Sequence, residues 1–160
     1  MDRFEQFSYM LFEISRYWHK LATEEMESHG LKGPHSVYLM ALENNPNGIT
    51  APQLCELCRK DKADVSRTMA VMEQKGLVVK EGVHQNLYRG VFKLTEKGVE
   101  LAQQVRKRAT LAVKLAGKDL TDDARQIFYK SMDLIANNLR ELCKDGLPPA
   151  HEHTKGDPRK

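Results

Sequence analysis

Two helical segments with narrow apolar stripes, one near each end of the chain, constrain the fold most strongly. Residues 2–28 contain no proline or glycine, and their apolar residues recur at intervals of 3, 4, 3, 4 and 3. Residues 128–142 repeat the intervals 4, 3, 4 and 3. Stripes this narrow are covered by other helices. The two helices could cover each other within one chain, but the pattern favours antiparallel intertwining across a homodimer. The stripe residues are Phe4, Phe7, Leu11, Ile14, Trp18 and Leu21 in the first segment, and Phe128, Met132, Ile135, Leu139 and Leu142 in the second.

Composition narrows the class of protein. The 160 residues are 41% hydrophobic and 29% charged, which is enough apolar material for the core of one domain. The mean hydropathy is −0.57, and no uncharged apolar run approaches the ~18 residues of a membrane-spanning helix. The acidic start does not resemble a signal peptide, and three cysteines do not make a disulfide framework. We therefore expect a cytoplasmic protein that does not enter a membrane.

Charge is distributed unevenly along the chain. Residues 1–49 carry 4 basic and 7 acidic side chains, whereas residues 50–98 carry 9 basic and 6 acidic ones. A mildly basic centre suits a polyanionic partner, although a solvated surface explains a bias of this size about as well.

The middle of the chain is divided into short elements by capping and turn residues. Thr50 and Gln53 have the spacing of a capping box, Asp61 and Thr95 are N-cap residues, and Gly76 is a helix stop. The predicted elements are helices over residues 36–43, 50–58, 61–75 and 96–117, strands over 77–79 and 91–94, and a last helix that opens at residue 121.

A short helix, a tight turn, a second helix and a β-hairpin form a winged helix-turn-helix. We therefore predict a mainly α (α+β) fold, with the winged helix over residues 36–98, helical dimerisation regions over 1–35 and 99–147, and a disordered tail over 148–160. In the second helix of the motif, the predicted inner face is Val65, Thr68, Met69 and Met72. The predicted outer face is Lys62, Ala63, Asp64, Ser66, Arg67 and Ala70. Small, hydroxyl and basic side chains of this kind are what a DNA major groove accepts.

The central motifs resemble those of the MarR family of bacterial transcription regulators. Residues 49–58 (ITAPQLCELC) are similar to that family's first motif helix, and residues 61–67 (DKADVSR) to the start of its recognition helix. Residues 73–78 (EQKGLV) and 94–98 (LTEKG) are similar to the segments that enter and close its wing. The resemblance implies a homodimer that binds pseudo-palindromic, double-stranded operator DNA, usually as a repressor, and is released by a small ligand or by oxidation.

The resemblance also implies which residues contact DNA. Ser66 and Arg67 would face the groove, Lys62 would lie near a phosphate, and Thr50 and Gln53 would meet the backbone. Arginine is the side chain best suited to guanine O6 and N7. The full predicted set is Thr50, Gln53, Lys62, Ala63, Asp64, Ser66, Arg67, His84 and Arg89.

Two of these positions depart from the family's pattern. The wing tip usually carries an Asp-Arg-Arg sequence, whereas the corresponding residues here are Asn86, Leu87 and Tyr88. The nearest basic residues, His84 and Arg89, are therefore the candidates for the minor groove. Asp64 stands where small or hydroxyl residues are frequent. It either stabilises the helix N-terminus, which we favour, or accepts a hydrogen bond from a cytosine N4.

Effector binding is implied by the resemblance as well. A ligand cavity between the first helices and the winged helix would be lined by Trp18, His19, His35 and Tyr38, and it would suit a small aromatic acid or phenol. No metal-binding spacing of histidines, phosphate-binding loop or nucleophile elbow occurs in the sequence, so we expect no cofactor, no metal and no enzymatic activity.

The two cysteines at the Cys55–Cys58 spacing permit an alternative function. One CxxC pair without a second is weak evidence for zinc, which requires four ligands in a structural site. We expect buried structural thiols, with a redox-sensing regulator of the same fold as the alternative. A winged helix used only for protein interaction is a third possibility.

Overall fold

The computed structural model describes residues 2–83 and 86–148, with the backbone alone for residues 83 and 86–89. The elements in chain order are α1 (Arg3–Ser28), α2 (His35–Glu43), β1 (Ile49–Thr50), α3 (Ala51–Cys58), α4 (Lys62–Gln74), β2 (Val78–Val83), β3 (Asn86–Leu94), α5 (Glu96–Ala116) and α6 (Asp122–Asp145). The mainly helical winged-helix fold is confirmed. The chain divides into two compact units between Val113 and Lys114, and the predicted dimerisation regions stay a prediction. The predicted tail lies outside the described residues from 149 onward.

The helix boundaries follow the predicted caps. Thr50 accepts a hydrogen bond from the backbone N–H of Gln53, whose side chain in turn accepts from the backbone N–H of Thr50. Asp61 Oδ1 accepts from the N–H of Asp64 at 2.8 Å, and Thr121 caps α6 in the same way. These side chains satisfy donors that a helix start leaves without partners. The boundaries are therefore fixed by local chemistry.

The sheet contains a strand that the sequence did not indicate. Its three strands are antiparallel and have the order β1-β3-β2. The two-residue β1 was missed because Ile49 and Thr50 are too few to show an alternating pattern, and they pair only with Phe92 and Val91 of β3. Both wing strands also extend beyond their predicted ends. The residues of β2 beyond its predicted end are mostly polar and exposed, so the sequence pattern there predicted a loop.

The core of the first unit confirms the predicted inner face of α4. Val65, Thr68, Met69 and Met72 are all buried. Val65, Met69 and Met72 pack in one cluster with apolar residues of the neighbouring helices and strands, among which are Tyr38, Leu39, Leu42, Ile49, Leu54, Leu77, Val78 and Phe92. Because the inner face packs in the core, the opposite face of α4 is exposed to solvent.

The LTEKG segment closes the wing through backbone contacts. Thr95 Oγ1 donates a hydrogen bond to the carbonyl oxygen of Gly76 at 2.7 Å and accepts one from the N–H of Gly98 at 3.1 Å. Lys97 Nζ donates to the carbonyl oxygen of Lys75 at 2.9 Å. The start of α5 is thereby tied to the end of α4, at the point where the chain leaves α4 for β2.

Gly98 makes this close approach possible, and we expect Gly98→Ala to destabilise the protein. A Cβ added there would overlap the carbonyl oxygen of Leu77, which is backbone and cannot swing away. Overpacking of this kind should lower the free energy of unfolding by about 2–3 kcal/mol, measured by urea denaturation. Gln103→Ala, at an exposed position of the same helix, is the control. A Gly98→Ala protein as stable as this control would contradict the prediction.

Both predicted apolar stripes lie at exposed positions. In the first unit, the α1 stripe residues from Phe4 to Leu21 are between 42% and 74% exposed. In the second unit, none of the residues of α6 is buried, and its stripe from Phe128 to Leu142 is 39–44% exposed. Monomeric proteins rarely expose apolar patches of this extent. In the part of the chain that the structure describes, no helix is long and apolar enough to cross a membrane.

Candidate nucleic-acid interface

The outer side of α4 presents a polar surface at its N-terminal half. Lys62, Ala63, Ser66, Arg67 and Ala70 are exposed, and we call this set the reading face. The side chain of Arg67 is 70% exposed. The face combines small residues, which permit close approach, with a hydroxyl and two cationic groups. A helix built in this way can enter a groove lined by hydrogen-bonding base edges and phosphates.

Asp64 lies beside the reading face and is bound to protein groups. The Tyr38 hydroxyl donates a hydrogen bond to Asp64 Oδ2 at 2.6 Å. The other oxygen, Oδ1, lies 3.7 Å from the Arg67 guanidinium. The bond from Tyr38 lowers the pKa of Asp64, and the positive charges of Lys60 and Arg67 lower it further. Asp64 is therefore an ionised group with a protein partner at each oxygen, which supports its predicted role at the helix N-terminus over direct cytosine recognition.

The first motif helix presents its N-terminus close to the sheet. Thr50 is half-buried and Gln53 is exposed. Both side chains already take part in the capping box, in which the Gln53 amide oxygen accepts from Thr50 at 2.8–2.9 Å. The amide nitrogen of Gln53 is not used by this box. Their predicted contact with a phosphate backbone stays a prediction.

The turn between α3 and α4 adds cations that the sequence analysis did not include. Arg59 and Lys60 are both exposed and precede Asp61, the N-cap residue of α4. Arg59 adopts a left-handed conformation with φ of 50°, and this closes α3 through hydrogen bonds to carbonyl oxygens of the helix's last turn. The sequence could have indicated them, because two consecutive basic residues stand between the two helices of the motif. With Lys62 and Arg67, they make a basic edge around the reading face.

The wing residues are described only in part. β2 and β3 form an antiparallel hairpin whose register shifts between Glu81 and Val83. His84 falls outside the described residues, and the backbone of Arg89 lies in β3. Asn86, Leu87 and Tyr88 also lie in β3. The predicted minor-groove contacts of His84 and Arg89 stay predictions.

A cavity of about 390 Å³ lies between α1, α2 and α5 in the first unit. Its walls are largely apolar, and its two charged residues form an ion pair, with Arg108 Nε 3.2 Å from Glu25 Oε2. A volume of this size can hold a small organic molecule. The lining residues are Trp18, Leu21, Ala22, Glu25, Met26, Ser36, Val37, Met40, Val105, Arg108, Ala109 and Ala112.

Only Trp18 of the four predicted cavity residues lies in this lining. Tyr38 is fully buried and its hydroxyl is bonded to Asp64, so it belongs to the core. His35 is also buried; its Nδ1 accepts from the N–H of Lys32, and burial lowers its pKa. His19 is exposed on α1. The four predicted residues lie on α1 and α2, which both line the cavity, but the packing of each helix decides which of its side chains face it.

The cysteines occupy packed positions. Cys58 is buried and Cys55 is half-buried. Burial raises the pKa of Cys58, and the neighbouring Cys55 raises it further. A raised pKa reduces the thiolate that reacts with oxidants, so Cys58 has the properties of a structural thiol. Among the described residues, no group of three or more His, Cys, Asp or Glu side chains is placed to hold a metal ion.

The fold is shared with solved structures of regulators. A crystal structure of a MarR family transcription regulator superposes with a TM-score of 0.81 at 17% identity, covering 91% of this chain and 95% of that one. A putative MarR family transcriptional regulator from Listeria monocytogenes, complexed with 26mer DNA, gives 0.74 at 19% identity, with coverages of 94% and 99%. The S. aureus MepR–DNA complex gives 0.75 at 16% identity, with coverages of 86% and 99%. No curated protein sequence matches the chain.

These similarities define the class of protein as a winged helix flanked by long helices. In sequence, residues 29–84 match the model of the MarR family. This segment contains α2, α3 and α4, and therefore the whole reading face. The chain thus shares the winged-helix fold of these solved structures, and its segment from residue 29 to residue 84 is similar to the MarR family.

Proposed function

We propose that this protein is a transcription regulator that binds double-stranded DNA through the reading face of α4. The observation that carries the proposal is the two-sided character of this helix: four inner residues are buried in the core, and the outer residues are small, hydroxyl-bearing or cationic. The Listeria monocytogenes and MepR structures that share the fold contain DNA. We further propose that the protein acts as a repressor in the cytoplasm.

We propose that two copies bind a pseudo-palindromic operator as a homodimer. The support comes from the exposed apolar stripes of α1 and α6, because apolar surface of this extent is usually buried against another protein surface. One recognition helix per subunit would then enter successive major grooves. Half-sites separated by about one helical turn are the geometric consequence.

We propose that a small aromatic acid or phenol releases the protein from DNA by binding the cavity. The apolar walls and Trp18 suit an aromatic ring, and Arg108 offers a partner for an anionic group in competition with Glu25. Ser36, Val37 and Met40 of α2 line the cavity, while Tyr38, Leu39 and Leu42 of the same helix pack in the winged-helix core. A ligand that moves α2 would therefore disturb the support of α4.

Selection of source-genome fragments by the purified protein, at two salt concentrations, tests the proposal. We expect one inverted-repeat sequence to be enriched, with affinity that falls steeply as salt rises because cationic side chains displace counterions from phosphates. Failure to enrich any sequence at either salt concentration, with reductant present and no effector added, would contradict it. That result would instead favour a winged helix that serves only as a protein-interaction module.

The turn before α4 provides a test of backbone contacts. We expect Arg59→Gly to raise the free energy of unfolding by about 1 kcal/mol, because glycine adopts the left-handed conformation without strain. The same change should weaken binding to all DNA sequences equally, since it removes a cation that carries no sequence information. Lys60→Ala is the matched control, expected to weaken DNA binding without a gain in stability. Urea denaturation and DNA titration give the two readouts.

The redox alternative can be tested by thiol labelling of the folded protein. We expect Cys58 to react at least about tenfold more slowly than in protein unfolded in urea, because it is buried and its thiolate is disfavoured. Mass spectrometry identifies the labelled residue, and DNA binding is measured on the same sample. Rapid modification of Cys58 with loss of DNA binding would establish the redox alternative instead.

A further inference from the structure

We propose that Tyr38 is a positioning residue for DNA recognition, because it fixes the carboxylate of Asp64 and through it the guanidinium of Arg67. The proposal rests on the proposed function, since it assigns a role in the sequence preference of the reading face. It concerns a residue of α2 that is fully buried and has no surface from which to contact DNA itself.

The geometry places the three side chains in series. The Tyr38 hydroxyl donates to Asp64 Oδ2 at 2.6 Å, across a sequence separation of 26 residues. Asp64 Oδ1 then faces the Arg67 guanidinium at 3.7 Å, one helical turn further along α4. The backbone N–H of Asp64 is held as well, by Asp61 Oδ1 at 2.8 Å. The carboxylate is thus fixed from the core side, and only its Arg67 side is open to change.

An anchored carboxylate changes what Arg67 can bind. An exposed arginine has many rotamers, and confining it near one position reduces the entropy lost when it meets a base. The negative charge of Asp64 also disfavours a nearby phosphate, while the neutral O6 and N7 atoms of guanine are affected much less. The pair therefore directs the guanidinium towards a base edge and away from a sequence-independent backbone contact. This is a contribution to specificity more than to affinity.

Without the Tyr38 bond, the carboxylate would be free to rotate. Asp64 could then turn to solvent or form a closer pair with Arg67, and in both cases the guanidinium would leave the position that it has beside the anchored carboxylate. Tyr38→Phe removes only the hydroxyl oxygen and leaves the aromatic ring in the core. It does not change the net charge, so any effect on DNA binding through general electrostatics is excluded.

The test is a cycle of variants on three duplexes. The proteins are the wild type, Tyr38→Phe, Arg67→Ala and the double variant. The duplexes are a fragment recovered from genome selection, the same fragment with one guanine replaced in each half-site, and a random-sequence duplex of equal length. The guanine is chosen as the one whose replacement weakens the wild type but not Arg67→Ala. We expect Tyr38→Phe to reduce the wild type's preference for this guanine about fivefold, the low end of one bidentate arginine–guanine contact.

The accompanying readouts separate positioning from a structural role. Affinity for the random duplex should be unchanged in Tyr38→Phe, and in the Arg67→Ala background the substitution should have no effect on any duplex. A Tyr38→Phe protein that loses affinity equally on all three duplexes, or that retains the full guanine preference, overturns the proposal. A loss of affinity for any duplex when Tyr38→Phe is added to Arg67→Ala overturns it too.

Asp64→Asn provides a second, independent variant if Tyr38→Phe does not fold. It keeps the side-chain shape but removes the charge that attracts Arg67, so the guanine preference should fall while affinity for the random duplex rises. If Asp64 instead contacted a cytosine, the preference would change at a base pair that Arg67→Ala leaves unaffected, and the proposal would be overturned. Should the wild type itself show no sequence preference, the proposed function fails, and this inference fails with it.

Discussion

Arg67→Ala is expected to weaken binding to the selected operator fragment by at least about 30-fold. A homodimer loses two arginine–guanine pairs, each of which contributes ~1–3 kcal/mol of discrimination. Binding to a random-sequence duplex should fall much less, because there the arginine provides only one charge per subunit among several. Fluorescence anisotropy titrations on the two duplexes, at one fixed salt concentration, measure both effects.

Arg140→Ala is the matched control for this substitution. It also removes one exposed arginine per subunit, but from α6, where the guanidinium bonds to Asn137 and lies outside the apolar stripe. We expect wild-type affinity and wild-type sequence preference. If Arg67→Ala matched this control on both duplexes, the reading face would not recognise bases, and the proposal for α4 would be wrong.

The features that the sequence predicted are those with local causes. Thr50, Asp61 and Thr121 mark helix starts because a side-chain oxygen accepts a hydrogen bond from the backbone N–H three residues further along. The inner face of α4 follows from the helical period alone, and all four of its predicted residues are buried. The reading face lies on the opposite side of the same helix. Its position could therefore be inferred before any tertiary contact was known.

The features that the sequence did not predict depend on contacts between residues that are far apart in the sequence. β1 is two residues long and exists only because β3 pairs with it. The bond between Tyr38 and Asp64 spans 26 residues and has no signature in either segment. The same bond explains why Tyr38 does not line the cavity, although Val37 beside it does. One position along a helix is a rotation of about 100°, and only packing decides which neighbour faces which side.

Helix α2 contacts both the cavity and α4. α2 supplies Ser36, Val37 and Met40 to the cavity and Tyr38 to the recognition helix. A ligand that prefers a shifted α2 by ~2.7 kcal/mol would reduce operator affinity about 100-fold. Such a shift needs no contact between ligand and DNA-binding residues. It also predicts that substitutions of cavity residues alter the response to the effector before they alter DNA binding itself.

Ile135→Glu is expected to convert the protein from a dimer to a monomer and to abolish specific DNA binding. Ile135 lies in the apolar stripe of α6 and is about 40% exposed within one chain. If a second copy covers the stripe, the substitution places an uncompensated charge in an apolar interface, at a cost of several kcal/mol. A monomer then holds only one reading face and loses the affinity gained from two half-sites. Light scattering should show the mass fall from twice 18.3 kDa to 18.3 kDa.

Asn137→Glu adds the same charge to the same helix outside the stripe and is the control for this substitution. We expect it to remain a dimer with unchanged operator affinity, since a glutamate there lies near Arg140 in water. A wild-type protein that is already a monomer at micromolar concentration would contradict the homodimer directly. An Ile135→Glu protein that stays dimeric would show that the α6 stripe is not part of the interface.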